Sequence, residues 1–163
     1  MSKTASRKPR PEGREADFGI ALALGFTAFA TELRASLEAD GYSDLHRWFG
    51  YVARNLEAAP LTLTDLARLL EMTSPGALKI VQQMEAEGYL ERSPDLEDGR
   101  AKRLQLTRRG HAALAAARRF HERFERELVS RLGTRKVQAF REVLGEIVAR
   151  HEAEGGRVPL RPM

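Results

Sequence analysis

Between Ser74 and Gly110 the chain fixes an order of local structures that few folds accommodate. Ser74 to Glu87 is a short amphipathic segment running into Glu85-Ala86-Glu87-Gly88-Tyr89-Leu90. Further on comes the run Asp98-Gly99-Arg100-Ala101-Lys102-Arg103-Leu104-Gln105-Leu106-Thr107-Arg108-Arg109-Gly110. In chain order these give a helix, a glycine stop, an extended run, a polar turn carrying cations, a second extended run and a threonine-led entry into another helix. A helix that leads into a two-stranded hairpin and then re-enters a helix has the layout of a winged helix-turn-helix.

The residues upstream supply the missing half of that motif. Thr62-Leu63-Thr64-Asp65 has the form of a helix cap with an acid three residues on, and Leu63, Leu66, Ala67 and Leu70 give the helix a buried face. Met72-Thr73-Ser74-Pro75 reads as the turn, with Ser74 as N-cap and Pro75 in the first helical position, where a missing N–H costs nothing. In the helix that follows, Ala77, Ile80, Val81 and Met84 recur at i, i+3, i+4 and i+7. Tyr89 to Arg92 is expected as one wing strand and Lys102 to Leu106 as the other, with Leu104 and Leu106 turned inward.

Long helices flank this lobe. Phe18, Leu22, Phe26, Phe29, Leu33 and Leu37 mark a first helix closed by Gly41, and Ser43 is expected to open a second with Leu45, Trp48, Phe49 and Val52 inward. Thr107 caps a helix carrying Ala113, Ala117, Phe120, Phe124 and Leu128, stopped at Gly133, and Thr134 starts another with Val137, Phe140, Leu144 and Ile147. The expected fold is mainly α with a small β-wing: a winged helix-turn-helix lobe flanked by N- and C-terminal dimerisation helices. Its divisions are a basic arm over 1–16, N-terminal helices over 17–56, the lobe over 57–110, C-terminal helices over 111–152 and a flexible tail over 153–163. The flanking helices offer more apolar surface than so small a lobe covers, which predicts a homodimer.

Composition narrows the function classes. At 163 residues, 42% hydrophobic and 31% charged, the chain is long enough for a real core. It has no cysteine, so disulfides, thiolate metal sites and thiol redox sensing are excluded. His46, His111, His121 and His151 lack the close paired spacing of a metal site. No nucleophile–base constellation or glycine-rich phosphate loop occurs, so neither an enzyme nor a cofactor is expected. The start is basic with no apolar segment behind it, and no apolar run approaches the roughly 20 residues of a membrane span. The expectation is a cytoplasmic protein with no membrane partner.

The net charge of +4 permits a nucleic-acid partner, and the distribution sharpens the case. Acids in the lobe lie mostly on the helices and before the turn, whereas the cations gather from Arg100 to Arg109. On the helix after the turn, removing the apolar stripe leaves Ser74, Pro75, Gly76, Leu78, Lys79, Gln82 and Gln83 on or beside the outer face. Lys79 can meet phosphate or guanine, Gln82 an adenine edge and Leu78 a thymine methyl, while Gly76 allows close backbone approach. At the wing tip Arg100 can enter a narrow minor groove, steadied by Asp98, with Lys102 and Arg103 adding backbone contacts.

Leu66-Ala67, Met84 through Arg92, Asp98-Gly99-Arg100 and Leu106-Thr107-Arg108-Arg109-Gly110 together resemble the DNA-binding lobe of the MarR family, the multiple antibiotic resistance regulators. With the flanking helices the resemblance spans roughly Phe18 to Arg150. It implies a dimeric regulator, most often a repressor, that binds a pseudo-palindromic operator on double-stranded DNA and yields it when a small molecule binds. It also implies a small aromatic effector between the dimerisation helices and the lobe, for which Phe26, Phe29, His46, Trp48, Phe49 and Tyr51 are candidate lining residues. The family's wing commonly reads Asp-Arg-Arg, and Gly99 replaces one of those cations here. A second reading is a winged-helix interaction or dimer scaffold without sequence-specific DNA binding, in keeping with the near-neutral lobe.

Overall fold

Thr62, Thr73 and Thr107 each cap the start of a helix, their side chains satisfying backbone N–H groups that a helix itself leaves open. The computed structural model describes residues 17–94 and 102–156. In chain order the elements are α1 (Phe18–Ala39), α2 (Phe49–Ala58), β1 (Leu61–Thr62), α3 (Leu63–Leu69), α4 (Ser74–Ala86), β2 (Leu90–Pro94), β3 (Lys102–Leu106), α5 (Arg108–Leu132) and α6 (Thr134–Ala153). The chain divides after Glu32 into two compact units.

The first unit holds the N-terminal part of α1, where Phe18, Ile20, Leu24 and Phe26 are exposed. Glu32 and Arg34 are the only charges between Phe18 and Ala35. By length and composition alone, α1 is long and apolar enough to cross a membrane. This corrects the expectation that no apolar stretch has that length: glycines, alanines and two threonines interrupt the large side chains without adding charge.

In the second unit the helix-turn-helix and the wing share one core. Leu66 of α3 and Leu70 just after it, Val81 and Met84 of α4, Leu90 of β2 and Leu104 of β3 are all buried, together with Tyr89. Phe49, Val52 and Leu56 of α2 and Ala113 and Leu114 of α5 close over them. The sheet has the order β1-β3-β2, all antiparallel, with Leu104 opposite both Leu61 and Arg92, and Leu106 opposite Leu90. The alternation of Leu104 and Leu106 sets this register, since a slip by one residue would turn both leucines to solvent.

The expected helix caps hold at α3 and α5. Thr62 Oγ1 accepts from the Asp65 N–H at 3.1 Å and donates to Asp65 Oδ2 at 2.7 Å. Thr107 Oγ1 accepts from the Gly110 N–H at 3.0 Å. Four boundaries differ from the sequence reading. The second helix starts at Phe49 rather than Ser43, because Asp44 and His46 hold their side chains to partners that a helix would not leave within reach. Thr73 rather than Ser74 caps α4, accepting from the Gly76 N–H at 3.3 Å, so Ser74 and Pro75 occupy the first two helical positions. Tyr89 is not the first residue of β2: its N–H reaches back to Met84 O at 2.9 Å, and with Gly88 at φ 74° it closes α4. Leu61–Thr62 forms a third strand, too short to show a period of its own.

Gly110, in the first turn of α5, lies against the carbonyl of Tyr89, and a Cβ there would overlap that oxygen. Gly110→Ala is therefore expected to lower stability by about 2–3 kcal/mol, measured as a shift in the denaturant midpoint. A control substitution, Gly145→Ala, meets open space and should not lower the midpoint.

Candidate nucleic-acid interface

The outer face of α4 is built by what its inner face buries. Ala77, Ile80, Val81 and Met84 turn into the core, which leaves Ser74, Pro75, Lys79, Gln82 and Gln83 exposed and Gly76 and Leu78 half-buried. Gly76 gives its N–H to the Thr73 cap, and a Cβ on it would lie 3.2 Å from Thr73 Oγ1. Gln83 Nε2 donates to Glu87 Oε1 at 2.9 Å along the helix, while Gln82 is exposed one residue nearer the helix start. Lys79 forms no ion pair among the described residues. The face therefore presents hydroxyl, amide and ammonium groups, a set suited to base edges and phosphates.

Lys102 stands exposed at the start of β3. With Thr62, Leu63, Thr64, Arg92 and Leu104 it lines an open depression of about 330 Å³ at the foot of α3. Arg103 is half-buried, and its Nη1 donates to Pro60 O at 3.3 Å. Arg92 Nε donates to Glu85 Oε2 at 3.0 Å, tying β2 to the last turn of α4. Asp98 and Arg100, the expected wing-tip pair, lie outside the described residues.

Behind this face lies a cluster that the sequence does not announce. Tyr89 is fully buried, and its hydroxyl donates to Asp44 Oδ1. Arg109 Nη2 donates to Tyr89 Oη at 3.0 Å and to both Asp44 oxygens at 3.1 Å, with its guanidinium 4.7 Å from the Tyr89 ring centroid. Burial, and then the bond to Asp44, push the phenol up to about 12, so it stays protonated as the donor. That same bond lowers the Asp44 carboxyl below its usual range, with Arg109 adding to the effect. Arg109, the last of the cations gathered from Arg100 onward, is exposed but spends its guanidinium on Asp44 and Tyr89. Asp44 lies 45 positions from Tyr89, so no local spacing signals the pair.

Of the candidate effector-lining residues, Trp48 and Tyr51 meet edge to face at 6.2 Å between ring centroids, Phe49 is buried, and His46 is half-buried. His46 Nδ1 accepts from the Trp48 N–H at 3.3 Å, which leaves its proton on Nε2. Phe26 and Phe29 belong to the first unit, Phe26 exposed and Phe29 half-buried. Among the described residues no group of three or more acidic or histidine side chains is placed to hold a metal ion.

A helix-turn-helix with a three-stranded wing and an exposed polar face on its second helix defines a winged helix-turn-helix protein. The family model described as the MarR family matches residues 45–101, which include the helix-turn-helix. Solved structures give the same fold. The Staphylococcus aureus MepR–DNA complex is 22% identical, with 83% of this chain and 99% of that one covered and a TM-score of 0.65. Wild-type MarR from E. coli in its apo form is 18% identical over 83% and 99%, with a TM-score of 0.61. The transcriptional regulator Tm0710 from Thermotoga maritima is 26% identical over 84% and 96%, with a TM-score of 0.59. No curated protein matches the chain significantly. MepR and Tm0710 are both transcription regulators.

Burial lowers the pKa of both His46 and His121 from the usual 6.5, with Arg47 acting in the same sense on His46, Glu87 opposing it, and Arg54 acting on His121. A histidine held neutral contributes stability in full above its unfolded pKa and loses that contribution as pH falls through the lowered folded value. The denaturant midpoint is expected to drop as pH falls below about 6.5, and His46→Gln with His121→Gln should flatten that drop. An unchanged slope in the double variant would assign the acid sensitivity elsewhere.

Proposed function

We propose that this protein is a dimeric transcription regulator that binds a pseudo-palindromic operator, as a repressor, through α4 in the major groove and the wing against the flanking backbone. The observation that carries this reading is the outer face of α4, where Ser74, Lys79 and Gln82 are exposed and free of acidic side chains up to Glu85. Lys102 is exposed beside this helix-turn-helix, and the contacts expected from the sequence at Arg100, steadied by Asp98, and at Arg103 belong to the same proposal. The Staphylococcus aureus MepR structure with DNA is a relative of the same fold bound to that polymer.

The proposed dimer is supported by the exposed face of α6. None of its side chains is buried, and Phe140, Val143, Leu144, Ile147 and Val148 lie exposed at i, i+3, i+4, i+7 and i+8. An apolar stripe of that width in water calls for a partner helix, and a second copy of this chain is the occupant proposed. Two-fold symmetry would set two α4 helices one DNA turn, ~34 Å, apart. The effector proposed is a small aromatic molecule seated beside His46, Trp48 and Tyr51, whose binding releases the operator.

Selection of bound sequences from a random duplex pool tests the reading, with an inverted repeat of two half-sites as the expected product. Equal weak binding to all duplexes would leave the lobe as an interaction scaffold. In a salt titration, Lys79→Ala and Lys102→Ala are each expected to reduce the log–log slope by about 1. Phe140→Asp with Ile147→Asp is expected to give a monomer in sedimentation while the lobe keeps its melting behaviour.

A further inference from the structure

The last turn of α4 is held from three directions. Its own C-cap is the first: Tyr89 N–H bonds Met84 O at 2.9 Å and Gly88 takes up the positive φ that this closure needs. The start of α5 is the second. Thr107 Oγ1 donates to Gly88 O at 2.6 Å and Thr107 N–H to Tyr89 O at 3.1 Å. The third is the segment between α1 and α2, which reaches α4 through one buried side chain. Asp44 accepts the Tyr89 hydroxyl, Tyr42 packs its ring 6.5 Å from that of Tyr89, and Arg109 bridges Asp44 and the phenol.

This route is continuous. A shift of Asp44 moves the Tyr89 phenol; the phenol carries the Tyr89 backbone, and that backbone is bonded to Met84 in the last turn of α4. Phe49 of α2 packs edge to face on the same ring at 5.2 Å, so the ring cannot slide without disturbing the core. A buried hydroxyl must keep a partner, so loss of Asp44 and Arg109 would press Tyr89 to move.

We propose that Asp44, Tyr89 and Arg109 are positioning residues that set the seating of α4, so that discrimination between operator and unrelated DNA depends on side chains whose hydrogen bonds lie inside the lobe. The proposal rests on the DNA-binding reading above. It separates two groups of cations: Lys79 and Lys102 act on the polymer, whereas Arg109 acts on Asp44 and Tyr89.

Tyr89→Phe removes the hydroxyl and keeps the ring, and Asp44→Asn keeps an acceptor while removing the charge. The probes are the tightest duplex recovered from the random pool and an unrelated duplex of equal length. Each variant is expected to lose roughly tenfold in affinity for the selected duplex, with affinity for the unrelated duplex and the salt slope unchanged. The double variant should lose no more than the weaker-binding single, because the substitutions break one network. In the absence of DNA, amide exchange from Met84 to Leu90 should quicken in both variants, while exchange in α6 stays at the parent rate.

A purely stabilising role would lower both affinities together, in step with the folded fraction, and that result would overturn the proposal. Unchanged discrimination in both variants would do so as well. If the parent protein does not distinguish the two duplexes, the DNA-binding reading fails on its own account, and the exchange measurement decides the seating of α4. Faster exchange confined to 84–90 supports it; no change overturns it.

Discussion

The rest of the lobe depends on how one buried tyrosine is satisfied. Tyr89 places its ring among Phe49, Tyr42 and the leucines of the core, and it carries a polar atom into that environment. An unpartnered hydroxyl in such a place costs on the order of 1–3 kcal/mol, so the fold has to bring a partner to it. Asp44 and Arg109 meet that demand from segments far apart in the chain. In doing so they bring the entry to α2, the end of α4 and the start of α5 to one point. Because Asp44 and Arg109 are themselves partly exposed, the charge pair alone adds little; the requirement of the buried phenol gives the cluster its weight.

Around that point the two sides of α4 have opposite duties. Its inner side is fixed by Ala77, Ile80, Val81 and Met84, and its start by the Thr73 cap. Its outer side is left with short, polar or cationic groups that make few commitments within the protein. β3 acts in the same way for the wing, with Leu104 and Leu106 buried and Lys102 turned out. A surface with few internal bonds, mounted on a packed core, suits recognition of another molecule, because little ordering remains to be done on binding.

Much of this is legible in the sequence because the signals are local. The i, i+3, i+4, i+7 stripe of α4, the alternation in β3 and the threonine caps at Thr62 and Thr107 each depend on residues within one or two turns of each other. The misplaced boundaries have the opposite character. Residues 43–48 have helical spacing, yet they stay irregular because Asp44 is drawn to Tyr89 and His46 to the Trp48 N–H. Thr73 and Ser74 are both good capping residues, and only the backbone at Thr73, with ψ 149°, decides between them. Arg109 closes a run of cations, and the sequence does not signal that Asp44 and Tyr89 take up its guanidinium.

The sequence by itself determined the order of the elements, the buried stripes and the surface chemistry of α4, since periodicity and capping act over a few residues. It also determined that α6 would carry an apolar stripe, which the chain leaves exposed from Phe140 to Val148. Tertiary structure alone decided which polar groups are spent within the lobe and which remain for a partner. That choice rests on distances between residues 20 to 65 positions apart, and burial of a single hydroxyl forces it.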